Sequence, residues 1–203
     1  MKTQLAVIAL ASLLAGCAAN SKPEYPDEIC RMLNEKTDWA RALVSAERRW
    51  GIPPHVTASI IYQESSFVHN ARPPAKASLL GVPVGRVSSA YGYAQVLDGT
   101  WKEYVEETGR WRAKRDKFAS ATDFIGWYSD RSYRINGVPL TDAYNLYLNY
   151  HDGWGGYRNG TYKSKPFLLD AAGKVERRAH KFEWQLGRCP ERLATRSLLF
   201  PLF

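Results

Sequence analysis

Residues 60–67 read IIYQESSF, and this stretch places a carboxylate where a helical pattern calls for an apolar side chain. Counting from Thr57, positions i+3 and i+4 are isoleucines and position i+7 is Glu64, so all of them share one face of a helix. Glutamate is rarely fully buried unless another group pairs with it or a reaction uses it. Two interpretations follow: Glu64 turns to solvent or pairs with an arginine, or the protein uses it as an acid.

Two local features predict a raised pKa for the Glu64 carboxyl group. Burial on an apolar face disfavours its charged form. A position near a helix C-terminus also sets it against the negative end of the helix dipole. A carboxylic acid that stays protonated near neutral pH can donate a proton to a leaving oxygen, so Glu64 is a candidate general acid.

The chain has 203 residues, which suits one domain, and its periodicity after residue 26 is helical almost throughout. We therefore predict a mostly α fold over residues 27–203. Residues 70–90 carry three prolines and two glycines and predict a long loop. The sequence allows at most a small hairpin, around residues 70–96. The predicted helices begin at Thr37 or Asp38, at Pro53-Pro54, at Asp98 or Thr100, at Asp116, at Thr141 and at Ser164-Lys165-Pro166. Their ends are predicted from glycines, at Gly51, Gly109, Asn136-Gly137 and Gly187.

The N-terminus has the pattern of an export signal. A lysine at position 2 precedes the apolar run of residues 5–14, which is short for a membrane span. Residues 14–17 read LAGC and resemble a bacterial lipobox, in which Cys17 is lipidated and becomes the first residue. This resemblance predicts a signal peptide over residues 1–16, a lipidated tether over 17–26, and an outer membrane lipoprotein facing the periplasm of a Gram-negative bacterium. The alternative is a plain signal peptide in which Cys17 is incidental.

Export changes the interpretation of the cysteines. With Cys17 lipidated, Cys30 and Cys189 are an even pair in an oxidising compartment, so we predict a disulfide between them. The alternative is a pair of buried free thiols or of metal ligands.

The net charge of +8 predicts anionic partners, such as phospholipid headgroups, lipopolysaccharide or cell-wall carboxylates. Nucleic acid is the other usual partner of a basic chain, but export argues against it, and the cations are spread along the sequence. The four histidines lack the spacing of a zinc site, and neither a G-x-S-x-G nor a Walker pattern occurs. We therefore predict no metal and no cofactor.

Three motifs follow one another along the chain: ESSF at 64–67, SAYGYAQ at 89–95 and NYHDG at 149–153. Together they resemble the soluble-type lytic transglycosylase domain of the lysozyme-like superfamily, whose marks are E-S-x-F, G-A-x-G-L-M-Q and A-Y-N-x-G. The resemblance covers roughly residues 40–160. The departures are Ser89 for Gly, Tyr93 for Leu, Ala94 for Met and His151 for Asn, together with a longer loop over residues 70–88.

The resemblance implies that Glu64 is the single acid/base. Its target is the bond between N-acetylmuramic acid and N-acetylglucosamine in peptidoglycan glycan strands, and the product is a 1,6-anhydro sugar. The substrate's own 2-acetamido group replaces a second carboxylate. The resemblance also implies that Tyr93 and Gln95 line the sugar groove. By the same resemblance, Tyr150 stands across from Glu64 and positions either Glu64 or the substrate. Ser65 and Ser89 are further candidates for substrate binding, and His151 either holds the helix end or contacts substrate. We also predict a monomer.

Two other functions fit the same motifs. One is a muramidase of this fold, which needs a second carboxylate, and Asp98, Asp123 and Asp152 are candidates for it. The other is a non-catalytic lipoprotein that binds the wall.

Overall fold

A computed structural model describes residues 21–79 and 82–189 of the chain. The described residues are mostly helical, which confirms the predicted fold class. The predictions for the signal peptide, for Cys17 and for the start of the tether fall on residues 1–20 and lie outside the described residues. The helices are α1 (Ile29–Glu35), α2 (Thr37–Trp50), α3 (Pro54–Ser65), α4 (Asp98–Thr108), α5 (Phe118–Asn136), α6 (Ala143–Arg158) and α7 (Pro166–Leu186), with a 3-10 turn at Thr161–Ser164.

Most helix ends lie where the sequence signals predict them. Helix α2 ends at Gly51, whose φ of 78° is the left-handed conformation that glycine adopts without strain. Helix α3 begins with Pro54, which lacks the amide hydrogen that a first turn leaves unpaired. Two starts differ by two residues: α5 begins at Phe118, and α6 begins after Asp142, whose carboxylate accepts the amide of Asn145.

Two elements refine the sequence prediction. The short helix α1 lies in a segment where no helix was predicted, and its apolar residues are few but fully buried. Between α3 and α4 the chain forms an antiparallel hairpin of β1 (Ala75–Leu79) and β2 (Val82–Arg86), with Ala75 opposite Arg86. The hairpin that the sequence allowed within residues 70–96 is therefore confirmed.

The core forms where helices cross closely. Helix α2 packs along α5, α3 packs against α7, and α6 packs against both α5 and α7. Gly126 permits the first of these contacts, since a Cβ there would lie 2.4 Å from the indole ring of Trp50. At the other end of α2, Trp39 stacks on Phe118 with ring centroids 3.9 Å apart. This framework fixes the end of α3 beside α6.

A disulfide closes the domain. Cys30 in α1 bonds to Cys189, which follows α7, across a sequence separation of 159 residues. Next to it, the amide of Ile29 donates to Gln185 Oε1. The predicted pairing is therefore confirmed. Within the described residues, every helix is too short or too polar to cross a bilayer.

Candidate active site

Glu64 lies in the last turn of α3, where the chain turns sharply. The next residues, Ser66 and Phe67, have φ values of 48° and 62°. Residues other than glycine adopt this left-handed conformation at a cost, and such positions cluster at functional sites. Burial compensates here, because the Phe67 ring is fully buried between Trp39 and Tyr62. The turn therefore holds the end of α3, and Glu64 with it, in one orientation.

The carboxyl group of Glu64 combines an accessible edge with a buried oxygen. The residue keeps part of its surface exposed, but Oε1 is buried without a hydrogen-bond partner. Burial raises the pKa of Glu64 to about 7, and a hydrogen bond with Tyr147 opposes that rise. A substantial fraction of the molecules therefore carries a protonated Glu64 at neutral pH, as a general acid requires.

Glu64 opens into a cleft of about 550 Å³. The cleft wall combines aromatic rings with polar side chains, which is the composition expected for a ligand with flat apolar faces and hydroxyl groups. The lining residues are Glu64, Ala90, Gln95, Val96, Leu97, Thr100, Phe124, Tyr128, Tyr150, His151, Asp152 and Gly153.

Tyr150 stands in the cleft with Glu64. Its hydroxyl donates to the carbonyl of Ala94, and its ring meets Tyr128 edge-on at 5.1 Å. Burial and the nearby charge of Glu64 raise the pKa of Tyr150 well above its ordinary value. Tyr150 therefore stays neutral, and it fixes α6 against the turn that carries Ala94.

Tyr147 is a site residue that the motifs did not reveal. Burial, followed by the charge of Glu64, raises its pKa, so its hydroxyl keeps its proton and hydrogen-bonds with Glu64. The helical repeat contains the signal, because residues 147, 150 and 151 are related by i, i+3 and i+4 and share a face of α6. Phe124 and Tyr128, which are four residues apart, likewise share the face of α5 that lines the cleft.

The turn that carries Gln95 is tightly constrained. Gln95 has a φ of 46°, and its side-chain nitrogen donates to the carbonyls of Ala71 (2.9 Å) and Gly92 (2.7 Å). Gly92 has a φ of 78°, and a Cβ there would lie 2.1 Å from the carbonyl oxygen of Arg115. Only glycine fits this close approach of two backbones, and the approach places Gln95 at the cleft wall.

A sequence model of one family, described as "Transglycosylase SLT domain", matches residues 5–189. The chain belongs to the transglycosylase SLT domain family. The resemblance drawn from the motifs is thus confirmed, and membership supports a transglycosylase-type activity on peptidoglycan. No curated protein and no solved structure gives a significant match.

Three of the residues expected to bind substrate point elsewhere in this member of the SLT family. Tyr93 is 2% exposed and packs its ring against Trp39 and Phe118, since burial of a large aromatic ring outweighs its exposure in a groove. Ser65 Oγ donates to the carbonyl of Ile61 within α3. Ser89 Oγ accepts the amide of Asp98 at the start of α4. None of these three side chains belongs to the cleft lining, so their substrate-binding roles stay predictions, whereas Gln95, Tyr150 and His151 do line the cleft.

Three aspartates were candidates for the second carboxylate of a hydrolase, and each of them forms a salt bridge with a cationic side chain. Asp98 pairs with Arg115 at 2.7 Å and lies outside the cleft lining. Asp123 is buried between α2 and α5, where it contacts Arg49 and Arg110.

Asp152 does line the cleft, but it pairs with Lys165 and accepts a hydrogen bond from Thr161. Although burial alone would raise its pKa, these partners together lower it. The Asp152 carboxylate is therefore ionised at neutral pH and is engaged in structural contacts. No group of three His, Cys, Asp or Glu side chains among the described residues is arranged to hold a metal.

His151 lies between the cleft and α7. Its ring packs edge-on against Phe167 at 5.7 Å. Burial lowers its pKa, the charge of Asp152 opposes that effect, and the charge of Lys165 adds to it. His151 is thus mostly neutral at pH 7, when it can accept or donate a hydrogen bond at the cleft wall.

Proposed function

We propose that this protein is a peptidoglycan lytic transglycosylase that uses Glu64 as its only acid/base. The observation that carries the proposal is the Glu64 carboxyl group, which has one buried oxygen, a pKa of about 7 and an open face on a cleft. A hydrolase would need a second carboxylate in the cleft. The residue in that position would be Asp152, which already forms a salt bridge with Lys165.

The proposed reaction conserves every atom of the substrate. Glu64 gives its proton to the oxygen that joins C1 of N-acetylmuramic acid to N-acetylglucosamine, and the C1–O bond breaks. The 2-acetamido oxygen stabilises the electron-poor C1 from the opposite face. The Glu64 carboxylate then removes the proton of the C6 hydroxyl while O6 bonds to C1. Glu64 is protonated again, a 1,6-anhydro ring is formed, and no water is consumed.

The neighbours of Glu64 support both halves of this cycle. Tyr147 and Tyr150 stay neutral beside Glu64. The Tyr147 hydroxyl, which hydrogen-bonds with Glu64, stabilises the carboxylate stage without adding charge. Phe124 and Tyr128 are buried beneath the cleft and form part of its apolar floor. Gln95 and His151 present polar groups to the substituents of a sugar ring.

The proposal includes the location of the enzyme. A lipobox at residues 14–17 supports a mature protein that is anchored through lipidated Cys17, in the outer membrane and facing the periplasm. This location brings the cleft to its substrate, the cell wall. Mass spectrometry of the mature N-terminus tests it: an acylated Cys17 is expected, and an unmodified first residue at another position would contradict it.

Digestion of purified sacculi tests the catalytic proposal. We expect the wild type to release soluble fragments and Glu64→Gln to release essentially none, because an amide has no proton to transfer at neutral pH. Glu183→Gln is the matched control, since Glu183 is exposed on α7 away from the cleft lining. Circular dichroism checks that both variants are folded. Equal release by the wild type and Glu64→Gln would contradict the proposal.

A further inference from the structure

The loop between α4 and α5 concentrates positive charge. Residues 110–117 read RWRAKRDK, which gives five cations and one acid in eight positions. We call this segment the basic loop. Its backbone is held by internal turns, in which the amide of Trp111 donates to Gly109 and that of Ala113 to Arg110. The loop is therefore an ordered feature of the surface.

Two of the five cations anchor the basic loop to the domain. The guanidinium of Arg110 lies 3.0 Å from the buried carboxylate of Asp123. Arg115 pairs with Asp98 and also donates to the carbonyl of Val96 at 2.9 Å. These two arginines are committed to the fold, so their charge does not explain why the rest of the loop is basic.

The single acid of the basic loop does not offset its outer charge. Asp116 turns inward, where its Oδ1 is buried and its charge acts on the core residue Tyr93. The charged side chains that the loop exposes fully to solvent are therefore all cations.

The remaining side chains of the loop face solvent. Arg112, Lys114 and Lys117 are exposed, and none forms an ion pair with another residue in the described part of the chain. Trp111 is 74% exposed, and the guanidinium of Arg112 lies 4.3 Å above its ring. An exposed indole beside unpaired cations is the composition of a membrane-interface contact, since the indole enters the headgroup region and the cations attract anionic lipids.

The basic loop also lies on the side of the domain where the tether arrives. Ser21, the first described residue, accepts a hydrogen bond from Lys36 just before α2. One turn into α2, Trp39 stacks on Phe118, the residue that follows the basic loop. The tether and the C-terminal end of the loop therefore meet the same end of α2. A membrane that holds the tether would lie near the loop.

We propose that the basic loop binds an anionic phospholipid surface and gives the protein a second membrane contact besides the tether. This inference rests on the lipid-anchored location under Proposed function, but not on the catalytic reaction. The acyl chains of a lipidated Cys17 would already hold the protein firmly, so the basic loop would add an orienting contact rather than the anchor itself. The contact would also restrict how the domain turns on its tether.

Vesicle sedimentation tests the contact. The probe is the predicted mature chain, residues 17–203, with Cys17→Ser so that no lipid is attached. The vesicles contain either phosphatidylcholine alone or equal parts of phosphatidylcholine and phosphatidylglycerol. We expect binding to the anionic vesicles only, and loss of that binding at high salt. Combined Arg112→Ala, Lys114→Ala and Lys117→Ala should weaken binding by roughly 100-fold, and Trp111→Ala should weaken it further.

A matched control separates the basic loop from net charge. Combined Arg158→Ala, Lys163→Ala and Arg177→Ala removes the same charge from exposed cations elsewhere. This control should bind vesicles within a few-fold of the wild type. Three results would overturn the proposal: unchanged binding by the loop variant, an equal loss by the control, or binding of the loop to sacculi instead of vesicles. Because the loop variant should still digest sacculi, a failure here is distinguishable from a failure of the proposed reaction.

Discussion

The ionisation of Glu64 sets the pH dependence that we expect. Its pKa is raised to about 7, chiefly by burial, and the proposed reaction begins with the protonated form. Release of fragments from sacculi should therefore be sustained on the acidic side and fall tenfold for each unit as the pH rises past about 7. A series of initial rates against pH measures this limb. A fall centred near the ordinary glutamate pKa would contradict the raised pKa, and a rate that rises with pH through about 7 would show that the ionised form is the active one.

Tyr147 lowers the pH at which this fall in rate occurs. Its hydrogen bond with Glu64 lowers the Glu64 pKa against the larger effect of burial. Tyr147→Phe removes the hydrogen bond, so the alkaline limb of the rate profile should move to higher pH. Tyr133→Phe is the control, because Tyr133 is 54% exposed on α5. An unmoved limb in Tyr147→Phe would mean that Tyr147 has a packing role alone.

Glu64 also lowers the stability of the folded protein at alkaline pH. Its folded-state pKa of about 7 lies above the ordinary 4.5, so the unfolded chain ionises first as the pH rises. Relative to acid, the free energy of unfolding should fall by roughly 3 kcal/mol as the pH passes through this window. Glu64→Gln removes the effect. Thermal melts should show this variant gaining stability over the wild type at about pH 8 but not at about pH 4, and an equal gain at both would contradict the assignment.

At the scale of elements, the turn from Gly92 to Gln95 positions one wall of the cleft. Gly92→Ala would place a Cβ 2.1 Å from the Arg115 carbonyl oxygen, and φ there is 78°. We expect a loss of several kcal/mol in unfolding free energy and a displaced cleft wall. Gly109→Ala is the matched control, because φ there is 68° but a Cβ meets nothing within 4 Å. It should cost only about 1 kcal/mol, so similar melts for the two variants would contradict the close-approach argument.

The elements also show how far the sequence predicts this molecule. Helix ends marked by glycine or proline, such as Gly51 and Pro54, were predictable because their backbone requirements are local. The helical repeat also placed Glu64 on an apolar face. Whether the Tyr93 side chain faces the core or the groove was not predictable, because its packing against Trp39 in the folded protein decides this. Helix α1 was missed because its stability comes from burial against α7 and from the disulfide rather than from a long repeat.

At the scale of the whole molecule, the Cys30–Cys189 bond joins the two ends of the domain. It closes a loop of 159 residues, for which the loop-entropy relation gives a contribution of about 5 kcal/mol. Cys30→Ser with Cys189→Ser should therefore lower the melting temperature by many degrees, and reduction of the wild type should do the same. The cleft residues lie on other elements, so the activity of the folded fraction should persist. An unchanged melting temperature would contradict this role.

The masses of the products released from sacculi decide whether Glu64 acts as both the acid and the base of a lytic transglycosylase. If Glu64 both protonates the glycosidic oxygen and removes the C6 proton, the muropeptides released by the wild type carry a 1,6-anhydro end. They have no reducing end and are one water lighter than hydrolysis products. We expect these products in wild-type digests and their absence in Glu64→Gln digests. Products that all carry a reducing end, with none one water lighter, would contradict this expectation.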